Sequence, residues 1–159
     1  MPQDLTHDIK LRQNDDSVFD INIVDGDLEV DDTFDINIIM SLFVDGRADS
    51  SEIPEAIRRR GFWGDLILFA NESNIESGSK LWLVNGRNTD DMLNRAIDYS
   101  RKSLQWFIDK GYVQDVEVTG NNTATGIQLD INFIIEDNSI EEFNFKLWEN
   151  GVVQVIEGL

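Results

Sequence analysis

The chain has 159 residues, with 31 acidic against 13 basic side chains, a formal net charge of -18, one histidine and no cysteine. The missing cysteines exclude disulfides, thiolate metal sites and cysteine nucleophiles. The negative field repels phosphate backbones and anionic headgroups, so neither a nucleic acid nor a membrane is expected as a direct partner.

This length suits one domain, residues 1–159, and 41% hydrophobic content with four tryptophans argues for a packed core rather than disorder. The opening stretch MPQDLTHDIK lacks the apolar run of a secretory signal. Residues 1–16 are expected to be flexible. The longest apolar runs, such as residues 66–70, are far too short to span a bilayer.

Phe19, Ile21 and Ile23 alternate with Asp20 and Asn22, the pattern of a half-buried strand. Asp25-Gly26 supplies a tight turn and Leu28 and Val30 a returning strand, so residues 17–31 read as a hairpin. Asp31-Asp32-Thr33 offers capping acceptors ahead of Phe34, Ile38 and Leu42, predicting a helix near 33–45 that stops at Gly46. Residues 46–88 are the least regular, a long central loop with Pro54, five glycines and short apolar pieces.

The clearest helix spans residues 89–110. Thr89 or Asn88 can cap it, Asp90 and Asp91 suit its first turn, and Gly111 suits its end. Leu93, Ile97, Leu104 and Ile108 form the expected stripe, flanked by Met92, Ala96 and Phe107. Val113, Val116 and Val118 mark a strand, residues 119–126 a polar turn, and Ile127 to Ile135 a long alternating strand. After a turn at 137–139, Phe143, Phe145 and Leu147 alternate again. Asn150-Gly151 is a strong hairpin signal before a last strand through Val153 and Val155. The predicted fold is α+β: an antiparallel or mixed sheet with two main helices on one face, an N-terminal hairpin and the central loop.

Chemical motifs are scarce. His7 is the only histidine, so no triad or histidine metal cluster can form around one residue. Phosphate-cradling glycine patterns are absent. Acidic pairs such as Glu141-Glu142 and Asp90-Asp91 are simply read as solvated positions and a helix start. Residues 25–32 lack the spacing of a calcium loop. No cofactor, metal or catalytic residue is assigned.

The most unusual segment is Arg58-Arg59-Arg60-Gly61-Phe62-Trp63-Gly64-Asp65. Its arginines either neutralise an acidic surface, with Phe62 and Trp63 anchoring the loop in the core, or form an interface hot spot. Asp65 is expected to lock the loop by a bidentate pair with an arginine.

Residues 59–65 resemble the RRGWWGD signature of the Mu-type phage baseplate wedge family, with Phe62 in place of a tryptophan. Gly78-Ser79-Lys80-Leu81-Trp82-Leu83 is similar to its GSRLWLL, residues 103–111 to its ALQWLIDDG, and residues 41–48 to its SLFTDRRA. Order and spacing agree over about residues 20–135. The resemblance implies a structural wedge or sheath-initiator component of a contractile-tail baseplate, distantly like the T4-type tail protein twenty-five. Tube, sheath and wedge-arm proteins would be its partners, with six copies around the tail tube of the virion, each made in the bacterial cytoplasm. Assembly would use strand donation and edge pairing. Arg58, Arg59, Arg60, Phe62, Trp63, Asp65 and Trp82 are the expected interface or loop-fixing residues. Two alternatives are a tail peptidoglycan hydrolase, which needs two carboxyls about 5–9 Å apart with one raised pKa, and an acidic DNA mimic or inhibitor.

Overall fold

The computed structural model describes residues 8–13, 18–31, 34–54, 58–65, 77–84, 89–135, 140–148 and 153–157. Its centre is a four-stranded antiparallel meander of β7 (Asp115–Thr123), β8 (Gly126–Ile134), β9 (Ile140–Trp148) and β10 (Val153–Glu157), in the order β10-β9-β8-β7. The alternation in β8 produces this sheet. Ile127, Leu129, Ile131 and Phe133 all face inward and are fully buried. Val116 and Val118 lie opposite Phe133 and Ile131 on one side, and Phe143 and Phe145 opposite Ile131 and Leu129 on the other. The sheet is antiparallel throughout, one of the two forms expected, and among the described residues parallel pairing occurs at the isolated bridge between Asp45 and Ser79.

The predicted polar turn at 119–126 is instead the end of β7. Thr119 to Thr123 stay in register with Asp130 to Gly126, leaving Ala124-Thr125 as the turn. A ladder satisfies the backbone whatever the side chains are, and at the sheet's edge Asn121 and Asn122 can face water. Asn122 also donates to Asp90 Oδ1 at 3.1 Å.

Among the described residues, two helices cover the apolar face: α1 (Asp35–Phe43) and α2 (Asp90–Asp109). In α2 the Thr89 hydroxyl accepts from the Met92 amide at 3.3 Å, and Asp90 and Asp91 lie in the positive first turn. The buried stripe is Ala96, Ser100, Leu104 and Phe107. Leu93, Ile97 and Ile108, expected at its centre, flank it half-buried. Small residues at 96 and 100 let the helix lie close to the sheet, which rotates the larger side chains to the rim. In α1, Ile38, Ile39 and Leu42 are buried, and Phe34 occupies the cap position without a side-chain hydrogen bond. The expected caps Asp32 and Thr33 lie outside the described residues, as do His7, the turn at 137–139 and Asn150-Gly151.

The N-terminal region departs from the predicted single hairpin. Only β4 (Ile23–Val24) and β5 (Asp27–Leu28) form one, around Asp25 and Gly26, which both take positive φ as a type I′ turn demands. The outer pairs are β2 (Leu11–Gln13) with β3 (Phe19–Ile21), and β1 (Asp8–Ile9) with β6 (Val30–Asp31). Part of the stretch expected to be flexible is thus strand. Phe19 stacks on Phe43 at 5.8 Å, and Phe43 meets Phe145 edge-on at 5.1 Å, rooting the ribbons in the core. Arg12 grips Glu29 bidentately at 2.9 and 2.7 Å. The expected half-burial fails further out: Ile21 is 52% and Ile23 65% exposed, with Val24, Leu28 and Val30 also exposed.

Candidate functional site

The end of α1 leads into a seam that brings distant segments together. Val44 leaves helical geometry, and its carbonyl accepts from the Ser79 amide at 2.9 Å. The Gly46 amide donates back to the Ser79 carbonyl at 2.7 Å, and the Ser79 hydroxyl donates to Leu42 O at 2.5 Å. Gly78 permits this approach. It has φ +79, and a Cβ there would overlap the Val44 carbonyl oxygen. A 3₁₀ turn at Leu81–Leu83 follows and half-buries Trp82, whose indole donates to Gly46 O at 2.8 Å.

The arginine loop is laid against this seam. Arg59 O accepts from the Ala48 amide at 2.9 Å, and Arg59 Nε donates to Ala48 O at 2.6 Å. Arg60 sits at φ +50, a left-handed conformation that costs a non-glycine residue roughly 1–2 kcal/mol. Two contacts hold it: Nη1 donates to Asp45 at 3.0 Å, and the guanidinium lies 4.4 Å from the Trp82 ring centroid. Gly61 at φ +109 then turns the chain outward. Phe62 is half-buried with its ring 5.5 Å from that of Trp63, whereas Trp63 is 72% exposed. Of the two readings of this segment, burial of Trp63 in the core is not the one found: its ring stands in solvent beyond Gly61.

The Asp65 lock is corrected. Asp65 Oδ2 accepts from the Ser77 amide at 3.1 Å, so it closes the loop onto backbone, and no arginine among the described residues reaches it. Arg58 is exposed. With Arg47, Arg59, Arg60 and Gly61 it walls a cavity of about 560 Å³.

A second cluster ties the same segments to α2. Lys80 reaches Asp49 at 2.8 Å and Glu52 at 2.9 Å, and the Tyr99 hydroxyl donates to Glu52 at 3.0 Å. Burial pushes Glu52 upward, but bonds from Lys80, the Asp49 amide and Tyr99 outweigh it and hold the carboxyl below its ordinary range. The Lys80 bond holds Asp49 low as well. Burial lowers Lys80, yet its two carboxylate partners leave it raised. Tyr99 is raised, first by burial and then by its bond to Glu52. Trp106 of α2 donates to the Ser41 hydroxyl of α1 at 2.9 Å. Among the described residues, no group of three or more His, Asp or Glu could hold a metal ion, and no helix is long and apolar enough to cross a membrane.

The four blocks carrying the resemblance thus meet in one place: 41–48, 59–65, 78–83 and 103–111. The model of the family described as phage protein GP46 matches residues 35–141, which contain all four. The chain belongs to the GP46 family. Two GP46 relatives extend the match. The baseplate protein gp46 of Escherichia phage Mu is 34% identical over 130 residues, covering 79% of this chain and 86% of its own. The Mu-like prophage FluMu protein gp46 of Haemophilus influenzae is 31% identical over 121 residues, covering 75% of this chain and 81% of its own. Sequence reasoning selected the GP46 arginine loop but missed Asp45, Gly46 and Ser79, which hold it and the seam beneath it, and Glu52 and Tyr99, which tie Lys80 to α2. Only their membership of the matching blocks could have drawn notice to the first three.

Proposed function

We propose that this GP46-family chain is a structural component of a contractile-tail baseplate, of phage or prophage origin, that works by protein–protein assembly. Its likeness to the Mu baseplate protein over most of both chains carries the reading. The geometry agrees with it. A helix-backed sheet and a hydrogen-bonded seam hold the arginine loop, and that loop presents an exposed tryptophan, one of the residue types most enriched at interface hot spots.

In the finer version of this proposal the chain is a wedge or sheath-initiator protein in six copies, contacting tube, sheath and wedge-arm proteins. Arg58, Arg59, Arg60, Phe62, Trp63, Asp65 and Trp82 are its docking and loop-fixing residues. The outer edges of β7 and β10, each with described pairing on one side only, are the strands open to a neighbour. The protein has no catalytic activity in this reading, which the low-lying Asp49 and Glu52 favour over a hydrolase.

The test is a phage or prophage from which this chain's gene is deleted. The account expects no complete tails, rescue by the intact gene, and electron density for the chain at the baseplate end of rescued particles. Normal tails without it, or release of peptidoglycan fragments by the purified protein, would refute the proposal.

A further inference from the structure

The arginine cavity gathers more positive charge than the described residues pair. Arg59 is committed to Ala48 O, and Arg60 to Asp45 and the Trp82 face. Arg47 and Arg58 are exposed and make no hydrogen bond or ion pair with a described residue. Among the described carboxylates, Asp45 makes the ion pair with one of the four, Arg60, and Asp49 feels the charge of Arg59. Placing four of only 13 basic residues around one cavity of about 560 Å³ costs like-charge repulsion. An anion from outside would relieve it.

We propose that this cavity binds the carboxylates of an acidic segment on a neighbouring protein, with Arg47 and Arg58 as its primary ligands. The inference rests on the docking reading of the loop and names the chemistry its partner brings. Guanidinium forks match carboxylates bidentately. Arg59 and Arg60 are already fixed, so the wall against which the ligand closes is preorganised. Nucleic acid would offer the same kind of charge in phosphates, but it binds along an extended basic track. Here one basic cavity lies in a surface of net charge -18, which disfavours a long polyanion. Trp63, exposed three residues beyond Arg60, supplies an apolar contact beside the charges.

The test uses the full chain and a fluorescent hexaglutamate peptide, followed by anisotropy in low salt. Hexaglutamine and a single-stranded hexanucleotide serve as comparison probes. The peptide should bind, hexaglutamine should not, and the oligonucleotide should bind more weakly. Arg47→Gln with Arg58→Gln should weaken the peptide by roughly tenfold or more at an unchanged melting temperature. Arg101→Gln with Lys102→Gln, exposed on α2, should leave binding unaltered. Equal binding by the Arg47/Arg58 variant, no peptide binding, or tighter oligonucleotide binding would overturn the proposal. Tail assembly separates the two readings. If Trp63→Ala blocks assembly while the Arg47/Arg58 variant assembles normally, docking stands and the acidic ligand falls. If both assemble normally, both fall.

Discussion

The N-terminal ribbons and the C-terminal sheet are written in the same sequence code. Phe19, Ile21 and Ile23 alternate with polar residues just as Ile127, Leu129, Ile131 and Phe133 do. Yet Ile23 is 65% exposed, while all four β8 residues are fully buried. The difference is the cover. α2 and α1 lie over the sheet, and the ribbons have Phe43 at their root and little beyond it. Alternation therefore specifies that a strand has an apolar face and leaves open what will bury that face. In an assembly protein the cover can be another molecule.

Substitutions along the two regions should separate them. Phe133→Ala in the sheet should cost about 3–5 kcal/mol in urea unfolding, because the cavity lies in the packed core. Phe43→Ala, which cuts the ribbons' root, should cost roughly 2 kcal/mol, since Phe43 is only half-buried. It should also speed amide exchange in residues 19–31 more than in β8. A uniform change across both would show that the ribbons are not rooted there. Glu52→Gln should lower the melting temperature by a smaller, pH-dependent amount. A carboxyl held low stabilises the fold above its ordinary range and loses that contribution as pH falls through its folded value. The gap between wild type and variant should thus be open at neutral pH and close in acid; a constant gap would contradict the network. Ile23→Ala should change stability by no more than about 0.5 kcal/mol. A loss comparable to that of Phe133→Ala would show that the ribbons are covered after all.

Much of this fold was legible because its signals are local. Thr89, Asp90 and Gly111 bracket α2, and Asp25-Gly26 makes its turn within four residues. What failed was set by tertiary partners. Ala96 and Ser100 outrank Leu93 and Ile97 because the helix must approach the sheet. Asp8–Ile9 and Leu11–Gln13 form strands through their pairing with Val30–Asp31 and Phe19–Ile21, and Phe19 stacks on Phe43. At the site, the sequence singled out the arginines and Trp63, left Trp63 open between the core and an interface, and paired Asp65 with an arginine. The Asp65 partner is a backbone amide, and the seam beside it, through Val44, Gly46, Gly78 and Ser79, also runs through backbone atoms that residue types do not advertise.

The most direct test of the account is the Trp63→Ala chain, read two ways in one preparation. It should unfold at the temperature of the wild type, because the ring is in water, and it should fail to restore complete tails to a phage lacking its own copy, as counted by electron microscopy. A full complement of tails, or a chain that no longer folds, would contradict the claim that the fold exists to hold this loop out to a partner.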